Sequence, residues 1–332
     1  MLKYMVSIVV GLLAQSALGW VAEAQPQSAA SAATWQPART PWGDPDLSGI
    51  FTNKDEQGVP LERPAEFAGR QTVTDEEFNA RRDAARRQVE RDLTRFDATA
   101  DAGGTGPDPV FNDRGRPSRR TSRIVDPADG RIPPMTPEGQ QRTKERALAR
   151  TNGDAPADSY ESFGLFVRCI TRGLPGSMMP AVYGNSYEIV QSPDYVAIRY
   201  EMVHETRIIP LGDRARVAPA LRSYMGDARG RWEGSSLVVE TRNLRPEATY
   251  QGAHHESLRL VERFTPTSRD TLEWSVMVDD PRTWTRPWTF TVDLTRDNSQ
   301  PVMEYACHEG NYAMRNMLVV ARAAEGGAVP EP

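Results

Sequence analysis

The stretch that decides the fold is residues 258–294, LRLVERFTPTSRDTLEWSVMVDDPRTWTRPWTFTVDL. Within it, apolar and polar side chains alternate over three runs, 258–264, 271–278 and 288–294. A period of two is typical of β-strands with one buried face, because successive side chains point to opposite sides of a strand. Short segments rich in Pro, Ser and Asp separate the runs. The stretch therefore predicts three consecutive strands joined by hairpins.

Short β-prone runs continue on both sides of this stretch. The further candidate strands are 187–190, 195–204, 206–211, 237–243, 303–308 and 317–321. Together with the first three they lie at hairpin spacing, with no helix-length segment between them. This pattern predicts a mainly β fold, an antiparallel barrel or strongly curved sheet occupying residues 161–323. Residues 324–332 are expected to form a flexible tail.

The N-terminal third, residues 41–160, has a different character and predicts helical and irregular structure packed against the barrel. Strands are expected at 46–53 and 123–126. A capping box from Thr74 to Glu77 opens a charged helix extending to residue 97. Pro137 lies in the first turn of a second helix, which ends near residue 150.

Residues 98–122 are rich in Gly, Asp, Pro and Arg and predict a long irregular loop. A basic cluster lies at its end, made of Arg114, Arg116, Arg119, Arg120 and Arg123. One interpretation is a clamp for an anionic ligand. The alternative is a solvated loop that balances an acidic chain.

The first 24 residues have the composition of a secretory signal peptide. Lys3 supplies a positive charge, residues 5–18 are mostly apolar, and residues 22–24 have the small-x-small pattern of a cleavage site. We expect cleavage after Ala24, a disordered leader over residues 25–40, and a periplasmic or secreted protein without a stable membrane anchor. A retained N-terminal anchor is the alternative, although the apolar run is short for a span.

Composition narrows the class of protein further. The chain has 332 residues, of which 39% are hydrophobic and 26% charged, with a formal net charge of -5. An acidic chain of this kind argues against nucleic acid as the main partner, because phosphate binding needs a concentrated basic surface. P-loop, GxGxxG, GxSxG and HExxH motifs are absent from the sequence. We therefore expect a small-molecule partner and no nucleotide cofactor, and the oligomeric state stays open.

The two cysteines, Cys169 and Cys307, favour a disulfide if the chain enters an oxidising compartment. A reactive thiol or a pair of metal ligands is the alternative. A disulfide would bring Arg168 close to His308, with Glu304 or Glu309 beside them.

Several polar residues lie on faces that are otherwise apolar. Glu262 alternates with Leu260 and Phe264, so burial is expected to be costly unless the carboxylate is paired or functional. One interpretation is a general acid or base whose pKa is raised by burial. The other is a structural carboxylate paired with an arginine such as Arg168 or Arg172.

The leading functional hypothesis is an exported enzyme of the lyase or isomerase type that acts by acid/base chemistry. His204 or His308 would transfer protons with Glu262, while Tyr200 would hydrogen-bond the substrate and Arg168 would hold an anionic group.

Trp284 and Tyr305 would form the rim of a pocket for a flat apolar molecule, although aromatic residues that simply close the barrel end explain the same pattern. A second hypothesis is a carrier that holds an apolar ligand in the barrel. The third hypothesis is a metal-dependent hydrolase using His204, His255 and His308, and of the three it is the one that requires a metal.

Several segments are familiar as a set: RCITRGLPGSMMP, GRWEGSSLVVETRN, LVERFT, DDPRTWTRPWT and YACHEGNY. Together they resemble a family of exported, β-rich hypothetical proteins of environmental Gram-negative bacteria. The resemblance implies a secreted β-rich protein and implies no catalytic residues. The start of the first strand, Gly49-x-Phe51, is similar to the Gly-x-Trp opening of lipocalin-like barrels.

Overall fold

The computed structural model describes residues 35–94, 112–151, 159–299, 301–309 and 311–326. The predictions for the signal peptide and for most of the loop at 98–122 lie outside these ranges. The described strands are β1 (Gly49–Thr52), β2 (Ile124–Asp126), β3 (Ser186–Gln191), β4 (Tyr195–Tyr200), β5 (Thr206–Pro210), β6 (Asp227–Glu233), β7 (Ser236–Arg242), β8 (Arg259–Pro266), β9 (Thr271–Asp279) and β10 (Trp288–Arg296). The helices in the same ranges are α1 (Asp75–Thr94), α2 (Pro137–Thr151) and α3 (Tyr312–Ala324).

Nine of these strands form a nearly closed barrel, which confirms the predicted fold class. Their order is β5-β4-β3-β1-β10-β9-β8-β7-β6, and β2 adds to β10 outside this path. All the paired strands are antiparallel. An odd number of strands cannot alternate direction all the way round, so one neighbouring pair must be parallel. That pair is β5 and β6, which meet through a parallel bridge between Leu211 and Gly230.

Gly230 lets the two strands approach at this seam. A Cβ atom at position 230 would lie 2.8 Å from Cδ2 of Leu211 and 2.9 Å from Cγ2 of Ile209. The candidate strands predicted from the sequence do not include this segment, because Gly226 and Gly230 give residues 226–230 the composition of a tight turn. Residues 227–233 instead form β6, and the glycine inside this strand leaves room for the side chains of Leu211 and Ile209.

The core lies inside the barrel, on the faces that the alternation predicted to be inward. On β8 and β9, Leu260, Phe264, Trp274 and Val276 are completely buried. Phe264 pairs with Trp274 across the two strands, with ring centroids 6.4 Å apart. Large aromatic side chains from β10 extend the same core and add dispersion and area burial there.

The two predicted helices are confirmed as α1 (Asp75–Thr94) and α2 (Pro137–Thr151), while residues 95–97 of the first prediction lie outside the described residues. The capping box of α1 is formed: the Thr74 backbone N–H donates to Oε2 of Glu77 at 2.8 Å, and the Glu77 N–H donates to Oγ1 of Thr74 at 3.2 Å. The strands predicted at 303–308 and 317–321 were wrong. Residues 303–308 carry no regular structure, and 317–321 belong to α3. A five-residue apolar run does not distinguish a strand from a helix, and here the flanking Ala, Met and Arg favour the helix.

Candidate functional site

A disulfide ties two distant parts of the chain together beside the barrel. Cys169 and Cys307 are bonded, with their Cα atoms 5.7 Å apart, which confirms the predicted pair. The side-chain amide of Asn311 adds a hydrogen bond to the carbonyl oxygen of Val167 at 3.1 Å. The covering segment (residues 163–179) is therefore attached to the C-terminal part of the chain on one side. On the other, it contributes Leu174 and Met178 to the barrel core.

A cavity of about 620 Å³ lies between the covering segment and the double turn, which we define as residues 246–252. The double turn consists of two short 3-10 helices, Pro246–Ala248 and Tyr250–Gly252. The cavity wall is mostly apolar, and its apolar members include Leu61, Leu165, Phe166, Met179, Ala248 and Tyr250. Volume and lining both match those of sites for small organic ligands.

Glycine brings the two walls of the cavity together. Gly173 has a φ of +66°, and a Cβ atom there would lie 3.1 Å from the carbonyl oxygen of Ala248. The covering segment can therefore approach the double turn closely only with a glycine at this position. The ring of Tyr250 packs against the rings of Trp288 and Phe290, at centroid distances of 6.2 and 6.3 Å.

Arg172 supplies the positive charge of this cavity. Its Nη1 is buried and has no hydrogen-bond partner, and no carboxylate of the described residues forms an ion pair with it. The guanidinium carbon lies 5.7 Å from the centroid of the Phe166 ring, another part of the wall. A buried guanidinium with an unused donor is the group that best recognises a carboxylate or phosphate oxygen.

Tyrosine hydroxyls surround the same guanidinium. Burial lowers the pKa of Arg172, and the neighbouring hydroxyls of Tyr187, Tyr305 and Tyr183 only partly offset this effect. Tyr183 and Tyr305 stack with their ring centroids 6.2 Å apart, and their hydroxyl oxygens are 3.3 Å apart. Because an arginine guanidinium keeps its proton throughout the physiological pH range, Arg172 stays charged beside these neutral hydroxyl groups.

Arg168, predicted to bind substrate, lies near this cavity rather than inside the barrel. It lines an adjoining cavity of about 430 Å³ that shares Gly164, Leu165 and Glu247 with the larger one. Its guanidinium carbon lies 5.3 Å from the ring centroid of Tyr160. Arg168 and His308 each neighbour a cysteine of the disulfide along the chain. The side chain of His204, the other predicted catalytic histidine, lies outside the described part of the structure.

Glu262 and Tyr200, the other predicted catalytic residues, lie together inside the barrel around an arginine that the sequence analysis did not single out. Arg207 donates to both carboxylate oxygens of Glu262, at 3.0 and 2.6 Å. Trp274 Nε1 donates a third hydrogen bond to Glu262 at 3.1 Å. Glu262 thus has an arginine partner, as one interpretation expected, but the partner is Arg207 instead of Arg168 or Arg172.

The charges of this interior group stabilise each other. Burial alone would lower the pKa of Arg207, but the adjacent Glu262 carboxylate outweighs it and raises the pKa. Burial raises the pKa of Tyr200 well above its ordinary value. Both groups therefore keep their protons at neutral pH.

Trp284 is buried and packs edge-on against Trp288, with centroids 5.6 Å apart. His254 and His255 stack at a centroid distance of 4.8 Å.

Within the described ranges, no group of three or more His, Cys, Asp or Glu side chains is arranged to hold a metal ion. Nor do those ranges contain a helix with the length and apolar character needed to cross a membrane.

Comparison with known proteins adds no relative: no protein-family model matches the sequence, and a search of curated proteins finds no similar chain. The geometry of the chain itself is therefore the basis for assigning a function.

Proposed function

We propose that the protein binds a small amphipathic organic anion, an apolar or aromatic molecule bearing one carboxylate, in the cavity between the covering segment and the double turn. Arg172 would hold the carboxylate, and Phe166 and Tyr250 would contact the apolar part. The observation that carries this proposal is Arg172, which lines a mostly apolar cavity and whose buried Nη1 has no hydrogen-bond partner among the described residues.

The energetics of such a complex support an anionic ligand over a neutral one. An unsatisfied buried donor costs free energy, and a charge-assisted hydrogen bond to it is worth about 1.5–3 kcal/mol. The apolar walls add burial, which contributes roughly 25 cal/mol for each Å² of apolar surface removed from water. A molecule with both features gains from both terms, whereas a purely apolar ligand would leave Arg172 without a partner.

Binding, in the manner of a carrier, is favoured over the predicted acid/base catalysis by the position of the polar residues. Glu262 and Tyr200 lie in the barrel interior, where Arg207 and Trp274 already occupy the Glu262 carboxylate. The cavity at the double turn offers the guanidinium of Arg172 and mostly apolar walls, and the carboxylate among its described lining residues, Glu247, is paired with Arg245 at 2.7 Å. Lyase or isomerase chemistry stays a prediction, and so do the roles of His204 and His308.

The proposal is tested by titrating the protein with 1-naphthoate and with its neutral analogue 1-naphthalenemethanol, following the fluorescence of the ring. We expect the acid to bind about tenfold or more tightly than the alcohol. Arg172→Gln should remove this preference, while Arg131→Gln, which deletes an exposed charge elsewhere, should keep it. Equal binding of acid and alcohol, or a preference that survives Arg172→Gln, would contradict the proposal.

A further inference from the structure

A second cavity, of about 500 Å³, lies between α1 and the segment that carries the predicted basic cluster. We call residues 114–120 of this segment the basic loop. Its lining carries a concentration of positive charge that is unusual for a chain of net charge -5. The basic residues of the lining are Lys54, Arg81, Arg82, Arg86, Arg114 and Arg116. Asp55 is the single carboxylate among the described residues that line it.

Carboxylates neutralise only part of this charge. Arg116 donates two hydrogen bonds to Oδ2 of Asp55, at 3.1 and 2.9 Å. Arg114 pairs with Asp92 at 2.7 Å. Lys54 and Arg86 form longer ion pairs, at 3.4 and 3.3 Å. The other two cationic side chains of the wall, Arg81 and Arg82, belong to consecutive residues of α1.

Arg81 and Arg82 have no carboxylate partner among the described residues. Arg81 donates instead to the backbone carbonyl oxygens of Ser118 and Arg120, at 3.0 Å each. These bonds attach α1 to the basic loop and leave the full positive charge of Arg81 at the cavity. Arg82 forms no hydrogen bond or ion pair with any residue that the structure describes, so its guanidinium is available to a ligand.

The loop is positioned by a glycine that tolerates no side chain. A Cβ atom at Gly115 would lie 2.2 Å from the carbonyl oxygen of Lys54 and 2.4 Å from the backbone nitrogen of Asp55. The basic loop therefore lies directly against residues 54–55, and Arg114 and Arg116 on either side of the glycine are held at the cavity wall. The same placement, together with the bonds from Arg81, makes this a preformed site.

We infer that this cavity binds an oxyanion with two or more negative charges, of the polyphosphate or phosphate-ester class. Guanidinium groups match phosphate oxygens with paired hydrogen bonds, and two uncompensated guanidiniums match the charge of such a group. A basic cavity on an acidic protein also concentrates multivalent anions locally. This inference is independent of the carboxylate site at Arg172, and it involves two members of the predicted basic cluster, Arg114 and Arg116, which line the cavity.

The test is calorimetric titration of the full chain with inorganic pyrophosphate at low ionic strength. We expect one pyrophosphate per chain, bound more tightly than acetate. Arg82→Gln should weaken binding about tenfold, because it removes a charged donor. Arg131→Gln removes the same charge from an exposed position outside the cavity and should change the affinity less than about twofold.

Absence of pyrophosphate binding would overturn the inference, and so would equal weakening by Arg82→Gln and Arg131→Gln, which would indicate a general effect of net charge. Because Arg82 forms no hydrogen bond or ion pair with the described residues, its variant should unfold at the same temperature as the wild type. Gly115→Ala provides a second variant: it should displace the loop and weaken pyrophosphate binding while naphthoate binding at Arg172 stays unchanged.

Discussion

Arg207 on β5 and Glu262 on β8 form a two-pronged ion pair inside the barrel, with side chains that are 2% and 0% exposed. Arg207 also donates to Oγ1 of Thr241 on β7 at 2.5 Å. These bonds run from one side of the seam between β5 and β6 to strands on the other side. The seam itself has the parallel bridge of Leu211 and Gly230. The ion pair therefore connects the two ends of the sheet that the barrel must bring together.

We predict that Glu262→Gln strongly destabilises the fold. Removing one partner of a buried ion pair leaves an uncompensated charge and typically costs about 3–5 kcal/mol. Urea unfolding would measure the loss. The double variant Arg207→Met/Glu262→Leu should be more stable than Glu262→Gln, because no buried charge remains. A Glu262→Gln variant as stable as the wild type would show that the pair does not hold the seam.

A second buried carboxyl gives the protein a dependence on pH. Glu56 is 2% exposed, its Oε2 has no hydrogen-bond partner in the part of the chain that the structure describes, and its Oε1 lies 3.7 Å from Nη1 of Arg120. Burial raises the pKa of Glu56 from 4.5 to about 7; Arg120 partly offsets this rise, and Asp293 adds to it. The folded protein thus binds a proton at pH 6 that the unfolded chain has already released.

From this we predict that Glu56 lowers the stability as the pH rises from about 4.5 to about 7. Below this window the carboxyl is protonated in both states, and above it the full cost of about 3 kcal/mol is present. Glu56→Gln removes the titrating group, so the stability gained over the wild type should grow from pH 5 to pH 8. Urea unfolding of both proteins at several pH values gives that difference, and a difference independent of pH would be inconsistent with a buried, titrating Glu56.

The disulfide should contribute to stability and to ligand binding. It closes a loop of 138 residues, for which the chain-entropy model gives about 4–5 kcal/mol. We predict a loss of this size on Cys169→Ser/Cys307→Ser, and weaker binding of 1-naphthoate because the covering segment is then attached on one side only. A variant that unfolds at the wild-type urea concentration would show that the reduced chain is already constrained by other contacts.

Gly164 offers a way to narrow the cavity without removing charge. It lines both the large and the adjoining cavity, and a Cβ atom there would meet no heavy atom within 4 Å. We predict that Gly164→Leu folds normally and weakens 1-naphthoate and 1-naphthalenemethanol to the same extent. Unchanged affinity for both would place the binding site elsewhere.

The barrel was predictable from the sequence because its strands alternate cleanly. The runs at 258–294 became β8, β9 and β10, and their inward faces were assigned correctly. Strand β6 was not predicted because Gly230 is a residue typical of turns. In the structure this glycine lies inside the strand and leaves room for the Leu211 side chain from the other side of the seam. Helix α3 was missed because a short apolar run carries no decisive period.

Of the two residues in the interior ion pair, only the carboxylate could be predicted from the sequence. Glu262 stood out as a carboxylate on an apolar face. Arg207 did not, since it precedes Ile208 and Ile209, and two adjacent apolar residues hide which face is inward: Ile208 is 54% exposed and Ile209 fully buried. Arg172 was visible in the sequence only as a partner for Glu262. Its cavity depends on the double turn more than 70 positions later, a contact that only the folded chain reveals.

The central claim, an anionic ligand held by Arg172, is tested most directly by a crystal structure of the protein with 6-bromo-2-naphthoate, located by the anomalous signal of bromine. We predict a carboxylate oxygen at about 3 Å from a guanidinium nitrogen of Arg172, with the ring between Phe166 and Tyr250. A ligand in another place, or one whose carboxylate points away from Arg172 into solvent, would contradict the account.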